Sequence, residues 1–137
     1  MIEKVCVFIF KRTMRGYEFL LLKRPEKHGN IWQPVTGHME KGEKPLESAK
    51  REVLEETGIK EVIRIIDPEF AYEFTSEAKK NYKEYLFGFE VPQIIEEITI
   101  SDEHVNYSWL NAETSKQMLY WPNNKQSLDK LIEKGGL

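Results

Sequence analysis

The 137 residues, 40% hydrophobic and 12% aromatic, have the length of one ordinary domain and enough apolar side chains to fill one core, which excludes long disorder. Twenty Lys and Arg against 23 Asp and Glu leave a net charge of -3, so no bulk positive field is available to hold a polymeric nucleic acid. The only cysteine, Cys6, excludes an intramolecular disulfide and a multi-cysteine metal site.

The opening residues have too short an apolar stretch for a signal peptide, and no run reaches the ~18 apolar residues of a membrane span. The expectation is a cytoplasmic protein with no membrane partner, one domain over residues 1–137. Val5 to Phe10 and Glu18 to Leu22 are apolar runs joined by a polar turn, which predicts a β-hairpin. The Gly- and Pro-rich stretch Ile31 to Glu43 reads as an irregular connection with one short extended piece at Gln33 to Thr36. From Pro45 to Thr57 the period changes. Leu46, Ala49, Val53 and Thr57 fall at helical spacing, Pro45 suits a first turn, and Gly58 suits the residue just past a helix end.

Val62 to Ile66 and Glu69 to Phe74 read as extended pieces broken at Asp67-Pro68, and Glu84 to Val91 as a strand ended by Pro92. A short strand follows at Tyr107 to Leu110. Asn111 is placed to cap a helix through Met118, and Asn123 or Asn124 to cap a last helix to Lys134 that Gly135-Gly136 closes. Strands mixed with three helices predict an α/β sandwich with a mixed sheet. Tyr72, Phe74 and Tyr85 alternate on predicted strands and read as core or sheet-face residues, and Trp109 as core.

The densest chemistry lies in one loop and one helix. At about 100° per residue, Glu52, Glu55 and Glu56 span an arc of roughly 100° beside the apolar stripe. Like charges at these spacings cost about 0.2–0.5 kcal/mol per pair, and Arg51 relieves only part of that through Glu55. A solvated acidic surface is the bland reading. A hard divalent cation such as Mg²⁺, which takes oxygen ligands and bridges carboxylates to phosphates, is the functional one, and the glycine-rich loop entering the helix favours it.

Gly37, Glu43, Arg51-Glu52-Val53, Glu55-Glu56 and Gly58-Ile59 together reproduce, at nine positions over 23 residues, the pattern of the Nudix box. The chain thus resembles the Nudix hydrolases. The resemblance implies an α/β/α sandwich with a mixed β-sheet and a catalytic loop-helix-loop that binds Mg²⁺ or Mn²⁺ and hydrolyses nucleoside diphosphates linked to another group. It implies that Glu52, Glu55 and Glu56 form the metal cluster, with the Gly37 carbonyl as a further ligand. Arg51 and Glu43 become the pair that holds helix and loop in register. The general base is Glu52 within the box or Glu103 outside it, and spacing alone does not choose.

Two further stretches, Trp32-Gln33-Pro34-Val35-Thr36-Gly37 and Glu103-His104-Val105-Asn106-Tyr107-Ser108-Trp109-Leu110, resemble the dihydroneopterin triphosphate pyrophosphohydrolases, also described as dATP pyrophosphohydrolases. Trp121-Pro122-Asn123-Asn124-Lys125-Gln126 resembles the opening of that group's last helix. The departures are Pro34 in place of a serine, the interior of the box, and one extra residue after Trp121. This resemblance implies a small-molecule nucleotide or pterin triphosphate as substrate, cut to a monophosphate and pyrophosphate. It makes Glu103 a further metal ligand or the base, with His104 a hydrogen-bonding loop residue.

Trp32 is the candidate stacking platform for a purine or pterin, Arg24 and less so Lys23 the candidate phosphate contacts, and Gly37 and His38 complete the substrate-binding set. The Gly37-His38 pair also occurs in dinucleoside polyphosphate hydrolases, and the basic, tyrosine-bearing stretch Lys79, Lys80, Tyr82, Lys83 keeps that alternative open. A nucleotide-sensing module without turnover would be expected to lose cluster acids, and all three are present. Monomer and homodimer both remain open.

Overall fold

The computed structural model describes residues 1–95 and 97–137. Among these residues the chain forms eight strands and three α-helices. The strands are β1 Ile2–Thr13, β2 Gly16–Lys23, β3 Trp32–Gln33, β4 Val35–His38, β5 Arg64–Ile66, β6 Ala71–Thr75, β7 Asn81–Glu90 and β8 Asn106–Asn111. The helices are α1 Pro45–Thr57, α2 Ala112–Met118 and α3 Pro122–Gly135. All strands join one sheet, ordered β3-β2-β1-β7-β5, with β4 on β1, β6 on β7 and β8 on β2. The β1–β7 pairing is parallel and the rest antiparallel, so the sheet is mixed.

Alternation along β1 builds two cores. Val5, Val7 and Ile9 face Ala49 and Val53 of α1, whereas Cys6, Phe8 and Phe10 face Leu128 and Leu131 of α3. The result is the expected α/β/α sandwich. Gly88 on β7 has no side chain because Leu131 occupies that space: a Cβ there would lie 2.7 Å from Leu131 Cδ1.

The predicted hairpin forms, but its strands stay paired only from Phe10↔Phe19 to Thr13↔Gly16. Beyond that they part. The single extended piece expected at Gln33 to Thr36 is two strands: β3 continues along β2, and β4 continues along β1. Pro34, which has no N–H to give a ladder, sits at the crossing. The sheet is therefore split where β3 passes into β4.

Helix α1 has the bounds read from the sequence, with Gly58 left-handed at φ 72° closing it through Gly58 N–H to Leu54 O. Its buried face differs from the apolar stripe expected. Leu46, in the first turn, is exposed, while Glu52 and Glu56 are buried beside Ala49, Val53 and Thr57. Asn111 caps α2 as expected, its side-chain oxygen accepting from Thr114 N at 2.8 Å. The cap of α3 is corrected. Trp121 holds that place, because Pro122 fits the first helical position, where an N–H has no partner anyway, and puts Asn123 and Asn124 inside the first turn. A 3-10 turn at Glu26–His28 was not anticipated. No helix among the described residues is long and apolar enough to cross a membrane.

Leu131 ties α3 to the sheet and is fully buried. Leu131→Ala should lower the unfolding free energy by about 2–5 kcal/mol, read as a shift of the urea midpoint at unchanged slope. A shift within error of zero would mean that α3 is not held by this contact.

Candidate active site

Arg51 organises the loop-helix. Its Nε and Nη2 donate to both oxygens of Glu43 at 2.8 and 3.0 Å, Nη1 donates to Glu52 at 2.9 Å and to Glu55 at 3.1 Å, and Nη2 also reaches the His38 carbonyl at 3.0 Å. One guanidinium thus joins loop, helix and strand β4. Glu43 also accepts from Glu40 N at 2.8 Å, which closes the glycine-rich loop. The two residues read as an orienting pair do meet, and the pair is bidentate.

Glu52 lies against Gly37. A Cβ at Gly37 would run into the Glu52 carboxylate, so only glycine leaves room for the acid there. Burial pushes the Glu52 carboxyl up to about 6 against the opposing hydrogen bond from Arg51.

Glu56 is reached from a different direction. The last carbonyls of a helix lack partners within it, and here Ser101 N donates to Glu56 O at 3.2 Å and Thr99 N to Thr57 O at 3.0 Å. These bonds dock the 99–104 segment on the end of α1. Ser101 Oγ then donates to Glu56 Oε2 at 2.8 Å, and His104 Nδ1 stands 2.9 Å from the same oxygen. His104 Nε2 lies 3.2 Å from Gln33 Nε2. With Gln33 on the Nε2 side of the ring, the Nδ1 side faces the Glu56 carboxylate.

Glu103, read from the sequence as a distant contributor, is delivered by the same segment. Its hydrogen bond with Glu56, and then burial, raise its carboxyl above the ordinary value. For Glu56 burial raises and the hydrogen bonds from His104, Glu103 and Ser101 lower, with the lowering dominant.

The acids do not share one environment. Glu52 is 8% and Glu56 4% exposed, whereas the Glu55 side chain is 53% exposed. Among the described residues no three acidic or imidazole side chains are grouped as a metal site: Glu55 is turned to Arg51 and Glu56 to His104. The donor chemistry nevertheless fits a hard divalent cation, since Glu52, Glu55 and Glu56 all offer carboxylate oxygens from one helix and the Gly37 cradle leaves the Glu52 carboxylate uncovered by any Cβ.

On the α3 face of the sheet, where it splits, opens a cleft of about 750 Å³. Arg24, Gln33 and His38 line it, with Phe74 and Tyr82 stacked at 5.0 Å and 11° on one wall and Trp121 exposed at another edge. Arg24 Nε is buried with no hydrogen-bond partner among the described residues. Trp32 is not brought to this cleft. It is half-buried against the second core, with Lys23 Nζ 5.8 Å from its ring centroid. Phase alone did not show that Phe74 and Tyr82, or the buried acid Glu84, line the cleft. The available signal was the acid at Glu84, opening an otherwise apolar strand.

A NUDIX domain model matches residues 3–131. The chain is 36% identical over 112 residues to a bis(5'-nucleosyl)-tetraphosphatase [asymmetrical] of Rattus norvegicus, covering 81% of this chain and 76% of the rat protein. It is 30% identical over 125 residues to a dihydroneopterin triphosphate diphosphatase of Escherichia coli, covering 82% of this chain and 81% of that one. The solved structure of the E. coli dihydroneopterin triphosphate pyrophosphohydrolase superposes with a TM-score of 0.80 at 26% identity, over 96% of this chain and 94% of that one.

The Glu43 carboxyl is held down to about 2, first by the hydrogen bond from Arg51 and then by the Glu40 N–H. A depressed carboxyl stabilises the folded state fully above its unfolded value of about 4.5, and that contribution is lost as pH falls toward about 2. The difference in denaturation midpoint between the wild type and Glu43→Gln should thus be widest above about pH 5 and shrink below it. A difference independent of pH would show that the ionised pair is not what holds the loop.

Proposed function

Because the chain belongs to the Nudix hydrolase family, we propose that it is a divalent-metal-dependent pyrophosphohydrolase that cuts a nucleoside triphosphate or dihydroneopterin triphosphate to a monophosphate and pyrophosphate. The observation that supports this reading is the approach of Glu103, from the segment docked on the end of α1, to Glu56, on the same helix as the Glu52 that lies against Gly37.

Glu52, Glu55 and Glu56, with the Gly37 carbonyl, are the residues that would hold Mg²⁺ or Mn²⁺. When bound, the ion offsets phosphate charge and makes water a better nucleophile. The chain's own residues do the rest. Arg51 and Glu43 keep the carboxylates in register, Ser101 donates to Glu56, and His104 packs against the same Glu56 oxygen. Arg24, with a free Nε and a place in the cleft wall, orients a phosphate. The Glu103 carboxylate, more exposed than Glu52 or Glu56, takes the proton as water oxygen bonds to phosphorus and the bridging P–O bond breaks toward pyrophosphate. Phe74 and Tyr82 offer the heterocycle a stacking wall, a role the sequence had given to Trp32.

A second reading, hydrolysis of a dinucleoside polyphosphate, has its own support in the rat relative and in Lys80 and Tyr82 on the cleft wall. The products decide. Mg²⁺-dependent turnover of dihydroneopterin triphosphate or dATP with release of pyrophosphate is the expected result. A nucleoside triphosphate released from diadenosine tetraphosphate, with no turnover of dATP or the pterin, would replace the first reading with the second. Glu103→Gln should lower kcat by about 10²–10⁴-fold, and Glu52→Gln should weaken Mg²⁺ binding as well. Full activity and full metal affinity in Glu52→Gln would remove this face from the reaction altogether.

A further inference from the structure

One acid in the cleft has no part in the chemistry described. Glu84 is only 3% exposed, yet it lines the cleft. Strand register sets its surroundings: Lys4 pairs with His38 across β1–β4 and with Glu84 across β1–β7, so the three residues lie side by side on the α3 face. Lys4 Nζ is 3.9 Å from Glu84 Oε2, and Asn123 Nδ2 is 3.5 Å from Oε1. These are long contacts. A carboxylate has about four acceptor positions, and at these distances neither neighbour makes a good hydrogen bond.

Burying such a group is costly unless its acceptors are filled. Packing gives no reason for it, since Leu86, next on the same face, is an ordinary core residue. Both groups beside the carboxylate are donors, which leaves it as an acceptor toward the cleft. The ligand edge that satisfies two carboxylate oxygens at once carries two adjacent N–H donors. Guanine and pterin have that edge, a ring N–H next to a 2-amino group. Adenine sets its amino group beside a ring acceptor, and hypoxanthine has no amino group.

We propose that Glu84 is a specificity-determining residue that accepts paired N–H donors from the edge of a guanine- or pterin-type heterocycle where a ring N–H adjoins the 2-amino group. This rests on the cleft being the substrate pocket, and it narrows that reading: the preferred triphosphate carries a 2-amino group. The phosphates then point toward Arg24 and Gln33, and through the Gln33–His104–Glu56 contacts toward the acids.

Binding of GMP, dihydroneopterin monophosphate, IMP and AMP to the whole protein, measured by calorimetry, tests this without requiring turnover. GMP, the pterin or both should bind about 10- to 100-fold more tightly than IMP and AMP. Whichever of the first two is tighter identifies the ring. Glu84→Gln should abolish the GMP-over-IMP preference and shift selectivity toward AMP, because an amide offers one acceptor and one donor and pairs with adenine. A merely structural glutamate would not reverse a ratio between ligands. Equal affinities in the wild type, tighter binding of AMP, no binding of any of the four, or an unchanged GMP:AMP ratio in Glu84→Gln would each overturn the proposal. The wild-type comparison stands even if the variant fails to fold. If Mg²⁺-dependent pyrophosphate release persists with no preference for GTP over ITP, only the role of Glu84 falls. If no phosphoanhydride is cut at all, it is the proposed function that fails.

Discussion

A single guanidinium decides whether the acidic helix can exist in this place. Arg51 spends its donors on Glu43, Glu52, Glu55 and the carbonyl of His38, and these belong to a loop, a helix and a strand. Isolated exposed ion pairs add little, about 0–1 kcal/mol. Here the planar fork binds one carboxylate bidentately and reaches two more, so the geometry is over-determined and lysine could not reproduce it. Without the fork, Glu52 would be a buried acid with no charged partner, and nothing would hold the loop against the helix. Gly37 is the steric half of the same constraint, because the acid occupies the space of its missing Cβ.

The opposite end of α1 is satisfied by different means. Its terminal carbonyls accept the N–H groups of Thr99 and Ser101, so an ordinary requirement of helix ends positions Glu103 and His104. That docking links the two faces of the sheet. Glu56 lies on the α1 side and the cleft on the α3 side. Gln33, at the crossing between β3 and β4, lines the cleft and bonds to His104, which contacts Glu56. The split in the sheet is what makes this short connection possible.

Much of this was legible in the sequence, for identifiable reasons. The bounds of α1 followed from Pro45, from apolar spacing and from Gly58, all local signals. The Glu43–Arg51 contact and the nearness of Glu103 to the helix acids followed from a resemblance carried by consecutive motifs. What was hidden depends on register and on packing between distant segments. Leu46 fits helical spacing but lies before the helix reaches the sheet, and periodicity cannot show where contact begins. Trp32 and Phe74 are both aromatic neighbours of Gly- or charge-rich stretches. Only the pairing of β3 with β2 and of β6 with β7 turns the first to the core and the second to the cleft. Asn123 and Asn124 had the right chemistry for a cap, but Pro122 moved the helix start ahead of them.

Charge gives the proposed substrate a direction. A triphosphate placed against Glu52, Glu55, Glu56 and Glu103 would meet repulsion from each ionised acid, so those residues favour phosphate only when a cation stands between them. The cleft has the opposite character: Lys4, Arg24 and Lys80 line it, and its one deeply buried acid is Glu84, on the same strand as Tyr82 of the stacked Phe74–Tyr82 pair. A substrate entered the other way round would set its phosphates on Glu84 and an uncharged ring on the acidic cluster, and would gain from neither. Under the proposed function, the heterocycle therefore enters the cleft and the phosphates lie at the split. Metal and substrate must then bind with mutual reinforcement, because each neutralises the charge that would exclude the other.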